Sequence, residues 1–258
     1  MLLGKPKLYH LHIPRTGGTN ILYAMQKSFG IDANMAWPGI FEFIYNHEKL
    51  KNNGFISGHF ALNPILQNHE IKTFSVVREP IDHFISVAAY RAASINKEFN
   101  NKTLDAFLEE YQLFCFSSDV FGLSGNLQTK HLTCRLINFR ELFTDKDVAE
   151  LKTTTGIVGN IEESIIFEEG SFPADEAELL KKIENIKLFK FYERDKINSY
   201  LHQVLNNVFG VQFCGISKNQ VNSSVRNMMM PSPQQIREIE NRCKMDLILY
   251  EHVCSVNK

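Results

Sequence analysis

Apolar positions along this chain follow two rhythms, and the points where one gives way to the other outline the fold. Residues 7 to 13, KLYHLHI, form a short β-rich apolar run closed by Pro14, which predicts a buried strand. From Asn20 to Phe29 the period lengthens. Ile21, Leu22, Met25 and Phe29 recur at helical spacing, and Gly30 stands where a C-terminal cap belongs. The alternation returns at residues 72 to 93. There Thr73 to Val77 is a continuous β-branched and aromatic run, Pro80 suits the first turn of a helix, and Ile81, Phe84, Ile85, Ala88 and Ala89 line one helical face. IKLFKFYERDKINSYLHQVLNNVFG predicts a third strand and helix, with Ile197, Tyr200, Leu201, Val204, Leu205 and Val208 as the buried stripe.

Residues 103 to 150 read mainly as helix, most clearly in TLDAFLEEYQLF and LQTKHLTCRLI. Near the end, Ser232, Pro233 and Gln235 make a capping-box start, and Ile236, Ile239, Cys243, Leu247 and Tyr250 supply an apolar face. Strands alternating with helices predict an α/β fold of three layers, with a central, mainly parallel sheet flanked by helices. No linker, repeat or low-complexity tract divides the chain, so residues 1–258 are expected to form a single domain.

Composition narrows the partners. Hydrophobic residues make up 44%, charged residues 22%, and the formal net charge is -1, which provides no global field to recruit nucleic acid or an anionic membrane. The five cysteines contain no CxxC pair and no zinc-ligand spacing, so reduced thiols and no metal are expected. The first residues lack the pattern of a signal peptide, and no 18 uncharged apolar residues occur in a row, so the chain is expected to be soluble and cytoplasmic.

Chemistry concentrates in HIPRTGGTN, residues 12 to 20. This strand, glycine turn and helix start imitate a phosphate-binding loop, GxxxxGK[ST], but aligning that pattern on Gly18 puts Ile13 at its first glycine, Thr19 at its lysine and Asn20 at its magnesium ligand. The second strand ends in Arg78 where a magnesium-binding aspartate would be expected. An anion site survives these losses. Gly17, Gly18 and Thr19 can turn backbone N–H groups inward at a helix N-terminus, and Arg15 leans over the same spot. The expected domain is therefore P-loop-like, holding a phosphate without a metal.

These residues resemble the sulfotransferases that use 3′-phosphoadenosine 5′-phosphosulfate (PAPS), in the branch with the heparan sulfate 2-O- and 6-O-sulfotransferases and bacterial relatives. HIPRTGGTN is similar to the family's 5′-phosphosulfate loop, SVVREPIDHFIS to its 3′-phosphate motif, and GHF at 58 to 60 to the segment with its catalytic histidine. Weaker echoes are NLQTKHL at 126 to 132, FYERDKINSYL at 191 to 201, and DLILY near the end. The resemblance implies that Arg15, Thr16, Gly17, Gly18, Thr19 and Asn20 hold the sulfonate and 5′-phosphate, that Arg78 and Ser86 hold the 3′-phosphate, and that His59 deprotonates a hydroxyl acceptor. The product would be adenosine 3′,5′-bisphosphate.

The chain departs from the commoner pattern by carrying Arg15 in place of lysine. A guanidinium is too weak an acid to protonate a leaving oxygen, so Arg15 is expected to act electrostatically only. His10, His12 and His83 rival His59; His12 is expected to face out of the first strand and His83 to lie away from Ser86. Glu79 is expected to decorate its turn rather than pair with Arg15. Gln128 and Lys130 either reach a ligand or sit on a solvated helix face. Ser224 and Arg226, in NSSVRNMMMPSP, are expected to cover the nucleotide from a loop, and the aromatics of MAWPGIFEFIYNHEKL either pack the core or line an acceptor site. The acceptor expected is a hydroxyl on a glycan or on a small or lipid-like alcohol. Two other readings remain open, a phosphotransferase of the nucleotide-kinase sort and a non-catalytic nucleotide-binding module, and the oligomeric state is not readable.

Overall fold

A computed structural model describes residues 7–30, 54–59, 61, 71–110, 123, 125–138, 165–216 and 230–256. Four strands, β1 (Lys7–Leu11), β2 (Phe55–Gly58), β3 (Ile71–Val77) and β6 (Ile186–Lys190), form a parallel sheet in the order β2-β1-β3-β6. Leu11 lies beside Gly58 and His10 beside both Ser57 and Phe74, so β1 is central. A second sheet pairs β4 (Leu136–Asn138) antiparallel to β5 (Ile165–Phe167).

Alternation within the strands assigns the layers. On one face Leu8, Phe55, Phe74, Val76 and Phe189 pack against α1 (Gly18–Phe29) and α6 (Arg194–Val204). On the other, Tyr9, Leu11, Ile56, Val77 and Leu188 meet Leu132 of α4 (Leu127–Thr133), Leu179 and Ile183 of α5 (Glu176–Ile183), and Leu249 and Val253 of α8 (Lys244–Val256). A third cluster joins α2 (Pro80–Ser94), α3 (Asn101–Glu110), α7 (Pro233–Arg242) and the second sheet. The result is a parallel sheet flanked by helices, the arrangement of a three-layer α/β fold. Among the described residues no helix is long and apolar enough to cross a membrane.

Local chemistry explains the boundaries. Gly30 ends α1 at φ 62°, Pro80 opens α2 while the Glu79 carboxylate accepts from the N–H groups of Ile81 and Asp82, and Ser232 and Gln235 complete the capping box of α7. Glu79 is thus a helix cap. Two expectations are corrected. The helix expected through residue 137 ends at Thr133, and Leu136 enters β4, where it pairs with Phe167. The apolar stripe through Cys243 is shared between two helices rather than one, with Cys243 between them.

The chain order places the site. From β1 the chain turns through α1 to β2 on one side, whereas β3 leads to β6 on the other. The carboxyl ends of β1 and β3 therefore flank a switch point, where open α/β sheets leave a crevice for ligands.

Candidate functional site

Residues 12 to 17 leave β1 and bend back into α1 through two left-handed positions, Arg15 at φ 64° and Gly17 at φ 83°. Arginine is uncommon in this region, so the neighbours must hold it there. The Thr16 hydroxyl donates to the Ile13 carbonyl at 2.7 Å, which commits that side chain to closing the turn. His83 lies against the same turn. Since a carbonyl only accepts, its Nε2–H donates to the Pro14 oxygen at 2.8 Å, and burial pushes its pKa down to about 4. His83 and Ser86, three apart on α2, share a buried face, which corrects the expectation that they diverge.

Both arginines reach the switch point. Arg15 Nε donates to Ser86 Oγ at 3.3 Å, and its guanidinium lies 5.2 Å from the Tyr90 ring centroid. Arg78 is buried, donates from Nη1 to the Arg15 carbonyl at 3.4 Å, and stacks on Phe191 at 4.9 Å. Burial and then the charge of Arg78 lower the Arg15 pKa, while Tyr90 opposes them. Among the described residues these guanidiniums make one ion pair, Arg78 with half-exposed Asp82 at 3.9 Å. Beside them α1 begins at Gly17 with no capping side chain and no acidic residue in its first turn. The arrangement is complementary to an anion.

Close packing dictates both glycines. A Cβ on Gly17 would come within 2.9 Å of the Phe191 ring, and one on Gly18 within 2.0 Å of the His12 ring. His12 is therefore buried against the loop, not turned outward as expected: its N–H still donates to the Gly58 carbonyl at 3.1 Å, so its ring continues the face of His10, which the start of α1 covers. Its ring lies 5.3 Å from His10 and 4.4 Å from His59, and His59 lies 6.0 Å from His131. Among the described residues no group of three or more histidine, cysteine or acidic side chains is arranged to hold a metal ion.

Of these four histidines, only His59 is partly exposed. Its Nδ1–H donates to the His12 carbonyl at 2.7 Å, which leaves Nε2 as the basic nitrogen. Burial lowers the His59 pKa to about 4, against the raising effect of that hydrogen bond. His10 falls further, to about 3, from burial and then the charge of His59. At neutral pH His59 is a neutral base in a fixed tautomer.

The remaining expected residues divide. Thr19 is exposed and Asn20 half-buried on the first turn of α1. Gln128 and Lys130 are buried in α4, all seven residues of which are buried, so the solvated-face expectation is replaced. Gln128 binds backbone: its Oε1 accepts from Arg78 N at 2.8 Å and its Nε2 donates to Arg78 O at 2.9 Å. It fixes the strand end from which Arg78 projects. Asp246, within DLILY, accepts from the N–H groups of Gln128 and Thr129 at 3.2 and 2.7 Å, while Asn126 Oδ1 accepts from Met245 and Asp246 N–H at 2.8 and 3.2 Å. Two helix starts cap one another. Ser224, Arg226 and residues 35 to 50 lie outside the described residues.

Sequence reasoning missed Phe191, Tyr90 and the part His83 plays. Phe191 opens the quoted FYERDKINSYL and Tyr90 lies within residues 72 to 93, but neither carried a signal of its own, and His83 was visible only as i, i+3 to Ser86. Comparison with protein-family models and with curated proteins returns no match for this chain.

Proposed function

We propose that this P-loop-like domain is a PAPS-dependent O-sulfotransferase acting on a glycan or small-alcohol hydroxyl. One observation carries the reading: Arg15 with the Gly17–Gly18 turn after β1, and Arg78 after β3, converge at the switch point, where among the described residues the one ion pair of these guanidiniums is that of Arg78 with Asp82. A nucleotide bearing separate 5′- and 3′-phosphates fits two cationic turns on adjacent strands. The resemblance of HIPRTGGTN and SVVREPIDHFIS to the sulfotransferase motifs supports the same ligand.

In this mechanism the acceptor oxygen attacks the sulfur in line as the bond from sulfur to the 5′-phosphate oxygen breaks. The hydroxyl proton passes to His59 Nε2, and the new charge on the leaving phosphate falls to Arg15 and the loop N–H groups. Products are a sulfate ester and adenosine 3′,5′-bisphosphate. A bound anionic donor raises the His59 pKa from its depressed value, which strengthens it as a base when the donor is present. Ser86 is buried and accepts from Arg15, so it orients that side chain from beneath.

Titration with adenosine 3′,5′-bisphosphate and with ATP, each with and without magnesium, tests the reading. The bisphosphate is expected to bind without the ion and His59→Ala to lower transfer by ~10² to 10⁴. Binding of ATP alone, and only with magnesium, points instead to a phosphotransferase. Bisphosphate binding with no turnover to lose points to a non-catalytic module.

A further inference from the structure

The left-handed turn at Arg15 raises a mechanical question: what holds an arginine in a backbone conformation that favours glycine, with its charge near a second guanidinium? The answer lies on one face of α2. His83, Ser86 and Tyr90 stand at i, i+3 and i+7, one stripe along the helix. Each touches the turn. His83 holds the Pro14 carbonyl, Ser86 accepts from Arg15 Nε, and Tyr90 lies under the guanidinium at 5.2 Å. The first two are buried; His83 holds the backbone just before Arg15, and Ser86 holds the guanidinium at Nε. Tyr90 is 56% exposed and lies against the guanidinium carbon.

We propose that Tyr90 is a positioning residue that holds the Arg15 guanidinium over the anion cleft; its bearing on catalysis rests on the sulfotransferase reading. Attraction between a guanidinium and an aromatic face offsets the repulsion from Arg78, so Arg15 is already in place before a phosphate arrives. The ring supplies this, not the hydroxyl. Phenylalanine should therefore substitute for Tyr90 and alanine should not.

Two measurements on wild type, Tyr90→Phe and Tyr90→Ala test it. In the absence of ligand, NMR of arginine side-chain Nε–H groups, with Arg15 assigned by its loss in Arg15→Ala, is expected to show a ring-shifted signal that Phe keeps and Ala loses. Calorimetry with adenosine 3′,5′-bisphosphate is expected to show affinity about two- to five-fold weaker in Tyr90→Ala, near wild type in Tyr90→Phe, and no further loss when Tyr90→Ala is added to Arg15→Ala. The two Tyr90 variants should melt within about two degrees of wild type, since the ring is mostly exposed.

An Arg15 signal that Tyr90→Ala leaves in place overturns the proposal. So does an equal loss of affinity in the Arg15→Ala background, which would put Tyr90 on the ligand itself. If wild type binds no bisphosphate while the Arg15 signal follows the ring as expected, the hold on Arg15 stands and the sulfate-donor reading falls.

Discussion

Replacing Gly18 by alanine tests the contact that joins the loop to the candidate base. The backbone there does not demand glycine, since its φ is not positive, and alanine is favoured over glycine in a helix by up to about 1 kcal/mol. Sterics oppose this. The new Cβ would stand 2.0 Å from two atoms of the His12 ring and 2.5 Å from a third, where carbon contacts normally lie at about 3.5–4.0 Å. The ring has little room to retreat, with His10 at 5.3 Å and His59 at 4.4 Å. Overpacking of a closed core costs about 1–3 kcal/mol, and the contact here is at the severe end of that range.

With the helix preference subtracted, the net loss is about 2 kcal/mol, a fall in Tm of roughly 4–8 °C for a chain of this size. Thermal and urea midpoints for Gly18→Ala, His12→Ala and the double variant measure it. The double variant is expected to lose about 1–2 kcal/mol less than the sum of the singles, because removing the ring removes the clash. Gly18→Ala melting with wild type, or strict additivity, refutes the packing account.

Acid should unfold the protein early. His10, His59 and His83 have folded pKa values of about 3, 4 and 4, below the ordinary 6.5, and His12 is lowered as well, so the unfolded chain binds more protons and stability falls as pH drops from about 6.5 toward 4. Asp246 works the other way. Burial raises it to about 6 from 3.8, which favours the folded state as pH falls through that range, but one carboxyl is outweighed by several imidazoles at a few kcal/mol each. Urea midpoints that stay flat between pH 7 and 4.5 would contradict this. Gln128→Ala should cost about 1–3 kcal/mol by leaving the Arg78 N–H and carbonyl unpaired, and should weaken bisphosphate binding in parallel; loss of binding with unchanged stability would make Gln128 a direct ligand instead.

What could be read in the chain followed from how local each cause was. The turn after β1, the Glu79–Pro80 start of α2 and the Ser232 capping box declare themselves through glycine, proline and short-range side chains. Distant partners hid the rest. The four residues of β2 are too few to show a period, and α4 reads as having a polar face because the side chain of Gln128 finds its partner, the Arg78 backbone, 50 residues away. The histidine column is a fact of strand register: His10 meets Ser57 and Phe74 only once β1 lies between β2 and β3. His12 was assigned to the wrong side because the start of α1 at Gly18, which covers the face that His12 shares with His10, closes over it only in the fold.

The mutual capping of Asn126 and Asp246 also sets an order of events during synthesis. On a ribosome the four parallel strands can assemble once residue 190 has emerged, but the helix that steadies the Arg78 strand end keeps unsatisfied amides until Asp246 is made, 118 residues after Gln128. A nascent chain halted short of that point would carry a finished sheet and an unfinished cleft.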